Sequence, residues 1–144
     1  MNLVRLCPVL IGILITLTQC KPTQNTTSVA NLENTYWKLS EINGKPVTTA
    51  EGVKEVYMVL GKEGSEQRLK GFGGCNNMGG SYTLSGNTIK FIVISTKMAC
   101  DRMDIENFFF NALSRADRYL IKGETLELYQ GETFLTRFES VYLK

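Results

Sequence analysis

Residues 71–93 read GFGGCNNMGGSYTLSGNTIKFIV, and the second half of this stretch decides the class of fold. Ser85-Gly86-Asn87 is turn chemistry. It separates Tyr82-Thr83-Leu84 from a run in which Ile89, Phe91 and Val93 alternate with Lys90 and Ile92. Alternation of period two about a glycine-containing turn is the pattern of a half-buried β-hairpin. The same pattern recurs on both sides. Trp37 and Leu39 alternate with polar neighbours before the turn residues Asn43-Gly44, and Val56, Met58 and Leu60 form a second run. Residues 66–72 give a short strand leading into the glycine-rich stretch. Leu126 and Leu128 flank Glu127, Gln130-Gly131-Glu132 turns the chain, and Phe134, Thr136 and Phe138 alternate on the return, with a last short strand over 141–143. Such regular spacing predicts an antiparallel sandwich or barrel.

One segment departs from period two. Over residues 101–118, Ile105, Phe108, Phe109, Ala112, Leu113 and Ala116 recur at helical spacing. The pattern predicts one amphipathic helix whose Phe108/Phe109 face packs on the sheet. Asp101 and Asp104 resemble a capping pair, and Arg115 and Arg118 suit the negative end of the helix dipole. The expected fold is therefore mainly β (α+β), a small antiparallel barrel-like sheet with one packed helix.

The first half of the opening stretch, GFGGCNNMGGSY, carries five glycines and Cys75. A phosphate cradle needs a helix N-terminus after the glycines, whereas a strand and turn follow here. A cysteine nucleophile needs a base to lower its pKa, and the chain has no histidine. The absence of histidine also removes the commonest zinc sites, so no metal or cofactor is expected. The remaining acids near the helix start, Asp101, Asp104 and Glu106, are paired carboxylates of the kind a hydrolase uses, but acids at a helix start ordinarily cap it. The expected protein is not an enzyme.

The N-terminus sets the location. After Arg5, residues 6–17 form an apolar run too short to cross a bilayer of about 30 Å. It fits a secretory signal peptide ending at Leu17-Thr18-Gln19-Cys20, which looks like a bacterial lipobox. The boundaries read as 1–19 signal peptide, 20–34 lipidated Cys20 and flexible tether, and 35–144 folded domain. Gln19 is larger than the small residue usual before the acylated cysteine. Acyl chains on Cys20 would anchor the domain to a membrane, the outer membrane foremost. The whole sequence holds 16 basic and 14 acidic residues, and loss of Arg5 with the leader leaves 15 basic. With no basic run, nucleic acid is not an expected partner. Cys75 and Cys100 remain once Cys7 and Cys20 are set aside. In an exported domain they pair as one disulfide or sit reduced side by side.

Gly74-Cys75-Asn76-Asn77, Gly80-Ser81-Tyr82 and Ser95-Thr96-Lys97-Met98-Ala99-Cys100 together resemble the META domain family of HslJ-like, heat-inducible bacterial lipoproteins. Trp37-Lys38-Leu39 and the residues from Ile42 to Val47 match the family's start, and the likeness covers roughly residues 35–140. It implies a small barrel-like antiparallel sheet with one helix, no established catalytic residue, and associations with heat response, novobiocin resistance and the cell envelope. The family is similar to secretion pilotins, which cradle a lipid or an amphipathic segment. Gly74, Asn76, Gly80, Thr96 and Met98 are expected to build a structural corner. In this reading Thr96 bonds across to the loop and Met98 fills space beside the helix. The main expectation is a monomeric, lipid-anchored envelope protein with an accessory or stress role and an envelope protein as partner. The alternative is a carrier whose Trp37, Phe91 and Phe109 would touch an acyl chain or apolar peptide.

Overall fold

The computed structural model describes residues 29–142. The leader, Cys20 and the tether up to residue 28 lie outside the described residues. Strands β1 (Tyr36–Ile42), β2 (Lys45–Pro46), β3 (Tyr57–Glu63), β4 (Glu66–Phe72), β5 (Asn77–Ser85) and β6 (Thr88–Ser95) precede helix α1 (Met103–Arg115). Strands β7 (Arg118–Lys122), β8 (Thr125–Gln130) and β9 (Thr133–Val141) follow it. All strand pairs are antiparallel, in the order β2-β1-β3-β4-β5-β6-β7-β8-β9, and β9 pairs back onto β1 to close a ring. The mainly β, barrel-like expectation holds.

The ring has one weak joint. Between β6 and β7 the register contains a single pair, Thr88 with Arg118, beside two flanking backbone bonds, Ile89 N–H to Asp117 and Tyr119 N–H to Asn87. Beyond it α1 packs against β6 and reaches β8, β1 and β9. The helix thus acts as the missing stave. Its buried face carries Glu106, Phe109, Ala112 and Leu113, and the Phe109 ring meets Phe138 edge-on at 5.8 Å. Trp37, Met58, Leu60, Ile89, Leu126, Leu128 and Phe138 fill the interior with no exposed area. Each such side chain contributes roughly 1.5–3 kcal/mol by leaving water. The segment has its own closed ring and core, so it is a folding unit by itself.

Several expected boundaries move, each for a local reason. The helix ends at Arg115 rather than 118, because Ala116 turns extended (ψ 131°) and Asp117 N–H donates to Tyr129 O. Arg118 therefore opens β7, a strand that helical periodicity concealed, and its guanidinium stacks 4.3 Å over the Tyr129 ring. The expected Asp101/Asp104 cap is absent: the N-cap is Arg102, with no side-chain cap bond. Phe108 is 55% exposed, so the helix is rotated from the expected Phe108/Phe109 face. Opposite Leu128 and Tyr129 of β8, β9 bulges by one residue, Leu135. Leu135 enters the core in place of Phe134, which stays outside against Tyr129. Residues 29–34 are not tether but part of the domain. Ala30 is buried and bonds Gly123 O, and Leu32 O accepts from Trp37 Nε1 at 2.9 Å.

The glycine-rich stretch is itself mostly strand, with a corner only over residues 73–76. Gly80 sits mid-strand at φ +148°, and a Cβ there would lie 1.9 Å from Ile92 O. Gly80→Ala should lower unfolding free energy by about 3 kcal/mol or more. At Gly86, where a Cβ meets nothing, the same change should cost only about 1 kcal/mol for its left-handed φ. Urea unfolding of the two variants checks the contrast.

Candidate functional site

The corner between β4 and β5 begins with Gly73 N–H donating to Asn76 O at 2.9 Å. This tight return aims the N–H groups of Cys75 and Asn76 in one direction, toward the first turn of α1. Glu106 Oε2 accepts both, at 3.0 and 2.7 Å. Its Oε1 accepts from Asn76 Nδ2 at 2.6 Å. Gly73 leaves room for this approach, since a Cβ there would lie 2.7 Å from Glu106 Oε2 and 2.8 Å from Phe110 Cζ.

The Asn76 amide is fully used. Nδ2 also donates to Met98 O at 2.9 Å, while Oδ1 accepts from Thr96 Oγ1 and Met98 N–H, both at 2.8 Å. Two donors and two acceptors with four partners leave the side chain one orientation. Asn76 and Glu106 are 1% and 3% exposed, so these bonds form where water does not compete. A buried carboxylate needs compensation, and here three donors supply it without a cationic partner. The node ties β5, the 96–98 segment and α1 together.

The structure joins Cys75 to Cys100 across the same place, with Cα atoms 5.7 Å apart and 25 residues between them in sequence. Cys75 is buried and Cys100 exposed. Arg102 completes the region by donating from Nη1 to Lys54 O at 2.8 Å. Met98 does not fill space beside the helix as expected. Its side chain is 63% exposed, and its backbone is the functional part, because Asn76 reads the N–H and C=O of that residue.

The residues expected to touch an apolar ligand lie elsewhere. Trp37 and Phe109 are fully buried in the packed core and Phe91 is half-buried against it. An open cleft of about 490 Å³ exists instead between the β1–β2 hairpin and α1, lined by Ile42, Pro46, Val47, Ile105 and Phe108. Among the acids considered for hydrolysis, Asp101 and Asp104 are exposed, whereas Glu106 is enclosed with both oxygens engaged. No group of three or more His, Cys, Asp or Glu able to hold a metal occurs among the described residues.

A second polar cluster lies outside the barrel on β8, β9 and β1. Glu127 accepts from Tyr129 Oη at 2.7 Å and from Arg137 Nε and Nη2 at 3.1 and 2.9 Å; Arg137 also pairs with Glu41. Burial raises the Glu127 pKa, but bonds from Tyr129 and Arg137 and the Lys122 charge outweigh it and hold the carboxyl below its ordinary range. The Tyr129 phenol is raised, chiefly by its bond to that carboxylate.

Sequence reasoning missed Glu106 as the partner of Asn76. The signal was present, because residue 106 falls on the same helical stripe as Phe109 and Leu113, where a charged side chain is out of place unless something satisfies it. Exchanging the amide for a carboxyl tests the node. Asn76→Asp puts an acceptor against Glu106 Oε1 and Met98 O, and should destabilise the domain by about 3 kcal/mol at neutral pH. The variant should recover part of that loss as acid protonates the new carboxyl. Thermal unfolding followed across pH measures both effects.

Comparison with known proteins agrees with this architecture. The META domain family model matches residues 30–142, which is nearly all of the described chain. The chain is similar to a solved structure described as the NMR structure of the protein from Burkholderia xenovorans, with 25% identity and a TM-score of 0.63, over 78% of this chain and 85% of that one. A second structure, described only as an NMR structure of the protein, aligns at 21% identity and a TM-score of 0.58, over 74% and 90% of the two chains. It supports the fold alone. Among curated proteins no significant relative is found. Because the family model spans residues 30–142, the chain belongs to the META domain family.

Proposed function

We propose that the protein is a lipid-anchored component of the bacterial cell envelope, held through Cys20, whose META domain serves there as a non-enzymatic accessory element in the response to stress. The observation that carries this reading is the Cys75–Cys100 disulfide at the family motif. Together with family membership it points to an oxidising, non-cytoplasmic compartment. The motif supports a structural role, because every polar atom of Asn76 and both oxygens of Glu106 are engaged within the fold. A stapled, internally satisfied corner suits a domain that must persist outside the cytoplasm. The anchor rests on the lipobox-like residues 17–20. In this reading Cys20→Ser abolishes palmitate labelling and leaves the protein uncleaved or soluble. Label retained in the variant would refute the anchor.

A second reading, a carrier of an apolar segment or acyl chain, is favoured by the cleft beside Phe108. A solvatochromic fatty-acid probe should then shift to the blue with the folded protein, and Phe108→Ser should weaken that shift severalfold. An unshifted probe rejects the carrier.

A further inference from the structure

The outer face of β4, β5 and β6 combines two chemistries that the motif does not explain. Ile92 and Ile94 are 68% and 69% exposed, the most exposed large apolar side chains among the described residues and the only such ones within strands. The register places Ile94, Gly79 and Lys70 in one row across the three strands, and Ile92, Ser81 and Arg68 in the next. Small residues on β5 keep the floor low. The isoleucines and the cations therefore stand as two ridges about 10 Å apart. A shallow cleft of about 390 Å³ lies over β5 and β6 beside Ile94, and another of about 270 Å³, lined also by Lys62 and Glu63, lies over β3 and β4 beside Arg68 and Lys70. Lys90 projects from the same face, two residues before Ile92.

Charge indicates what covers this face. Lys70 and Lys90 meet no carboxylate within 4.0 Å among the described residues, while Arg68 is paired with Glu66 at 2.5 Å. Two rigid β-branched side chains beside unpaired lysines form an interfacial composition. The aliphatic groups enter the acyl boundary, and the lysine stems let their ammonium groups stay with phosphates. Two isoleucines are far short of the roughly 800 Å² per partner that a stable protein interface buries.

Chain length supplies the second argument. Ala30 is fixed to Gly123 O, so the chain joins the barrel at a defined point. The ten residues back to Cys20 span at most about 36 Å. An acylated Cys20 would thus hold the barrel within about its own diameter of the bilayer. We propose, resting on the anchoring reading above, that this Ile92/Ile94 and Lys70/Lys90 face lies on a bilayer surface rich in anionic phospholipid, as a second contact that orients the anchored domain.

The chain from Lys21 onward keeps the closed barrel and lacks Cys20, so it isolates the face from the anchor. Co-sedimentation with vesicles of phosphatidylcholine, with or without about one-third phosphatidylglycerol, should show preferential binding to the anionic vesicles that falls with salt. Lys70→Gln/Lys90→Gln should reduce that binding by about 25-fold, roughly fivefold per lysine, and leave pure phosphatidylcholine unaffected. Ile92→Ser/Ile94→Ser should reduce it about tenfold. If the isoleucine variant fails to fold, the lysine variant, which leaves Ile92 and Ile94 in place, still decides. Equal sedimentation with both vesicle types, or equal binding by the lysine variant, overturns the proposal. A dimer in sedimentation velocity that the isoleucine variant dissolves, without vesicle binding, overturns it too. Acylation of Cys20, read by mass on the full chain, is independent. An acylated chain whose barrel ignores vesicles refutes the face alone, and an unacylated chain that binds them refutes the anchor alone.

Discussion

The arrangement depends on one buried carboxylate. Glu106 is the residue through which α1 is held at the right height beside β6, and it is held by backbone N–H groups whose direction is fixed by the Gly73–Asn76 turn. Without those donors the helix would bury an acid in its apolar stripe; without the acid the corner would bury N–H groups lacking acceptors. Each defect is cured only by the other. This mutual need couples a local turn to the tertiary position of a helix about 30 residues away.

The disulfide and the amide act on the same junction by different physics. Cys75–Cys100 limits the unfolded chain, a contribution of about 3.5 kcal/mol for a loop of this length in the chain-entropy account. It needs no particular orientation of neighbouring polar groups. Asn76 does the reverse, specifying orientation in the folded state by reading both backbone groups of Met98. One restricts the alternatives and the other selects among compact ones.

The strand content was legible because alternation survives wherever one face is buried, as at Ile89, Phe91 and Val93. It failed at the bulges, where one inserted residue reverses the inward set. Ile42 follows Leu39 into the core across such a shift, and Leu135 displaces Phe134. β7 was hidden because Arg118 also suits a helix C-terminus, and only the pairing of Asp117 with Tyr129 draws the chain out. Cys75 and Cys100 could be read as partners from their number and setting. The Asn76–Glu106 bond could not, since nothing local in sequence relates residues 30 apart. Lys90, Ile92 and Ile94 share one side of β6, but their setting beside Lys70 of β4 needed the register.

The single register pair between β6 and β7 has a consequence for how the domain fails. Past Thr88 the edge of β6 has a helix for a neighbour instead of a strand. Side-chain packing shields such an edge without satisfying it as a ladder does, so lifting α1 would expose backbone groups able to recruit a foreign strand. The helix is therefore a safety catch against sheet-to-sheet polymerisation. The helix is fastened at both ends, by Glu106 at the stapled corner and by Arg115, which donates to Gln130, so the catch opens only when both give way.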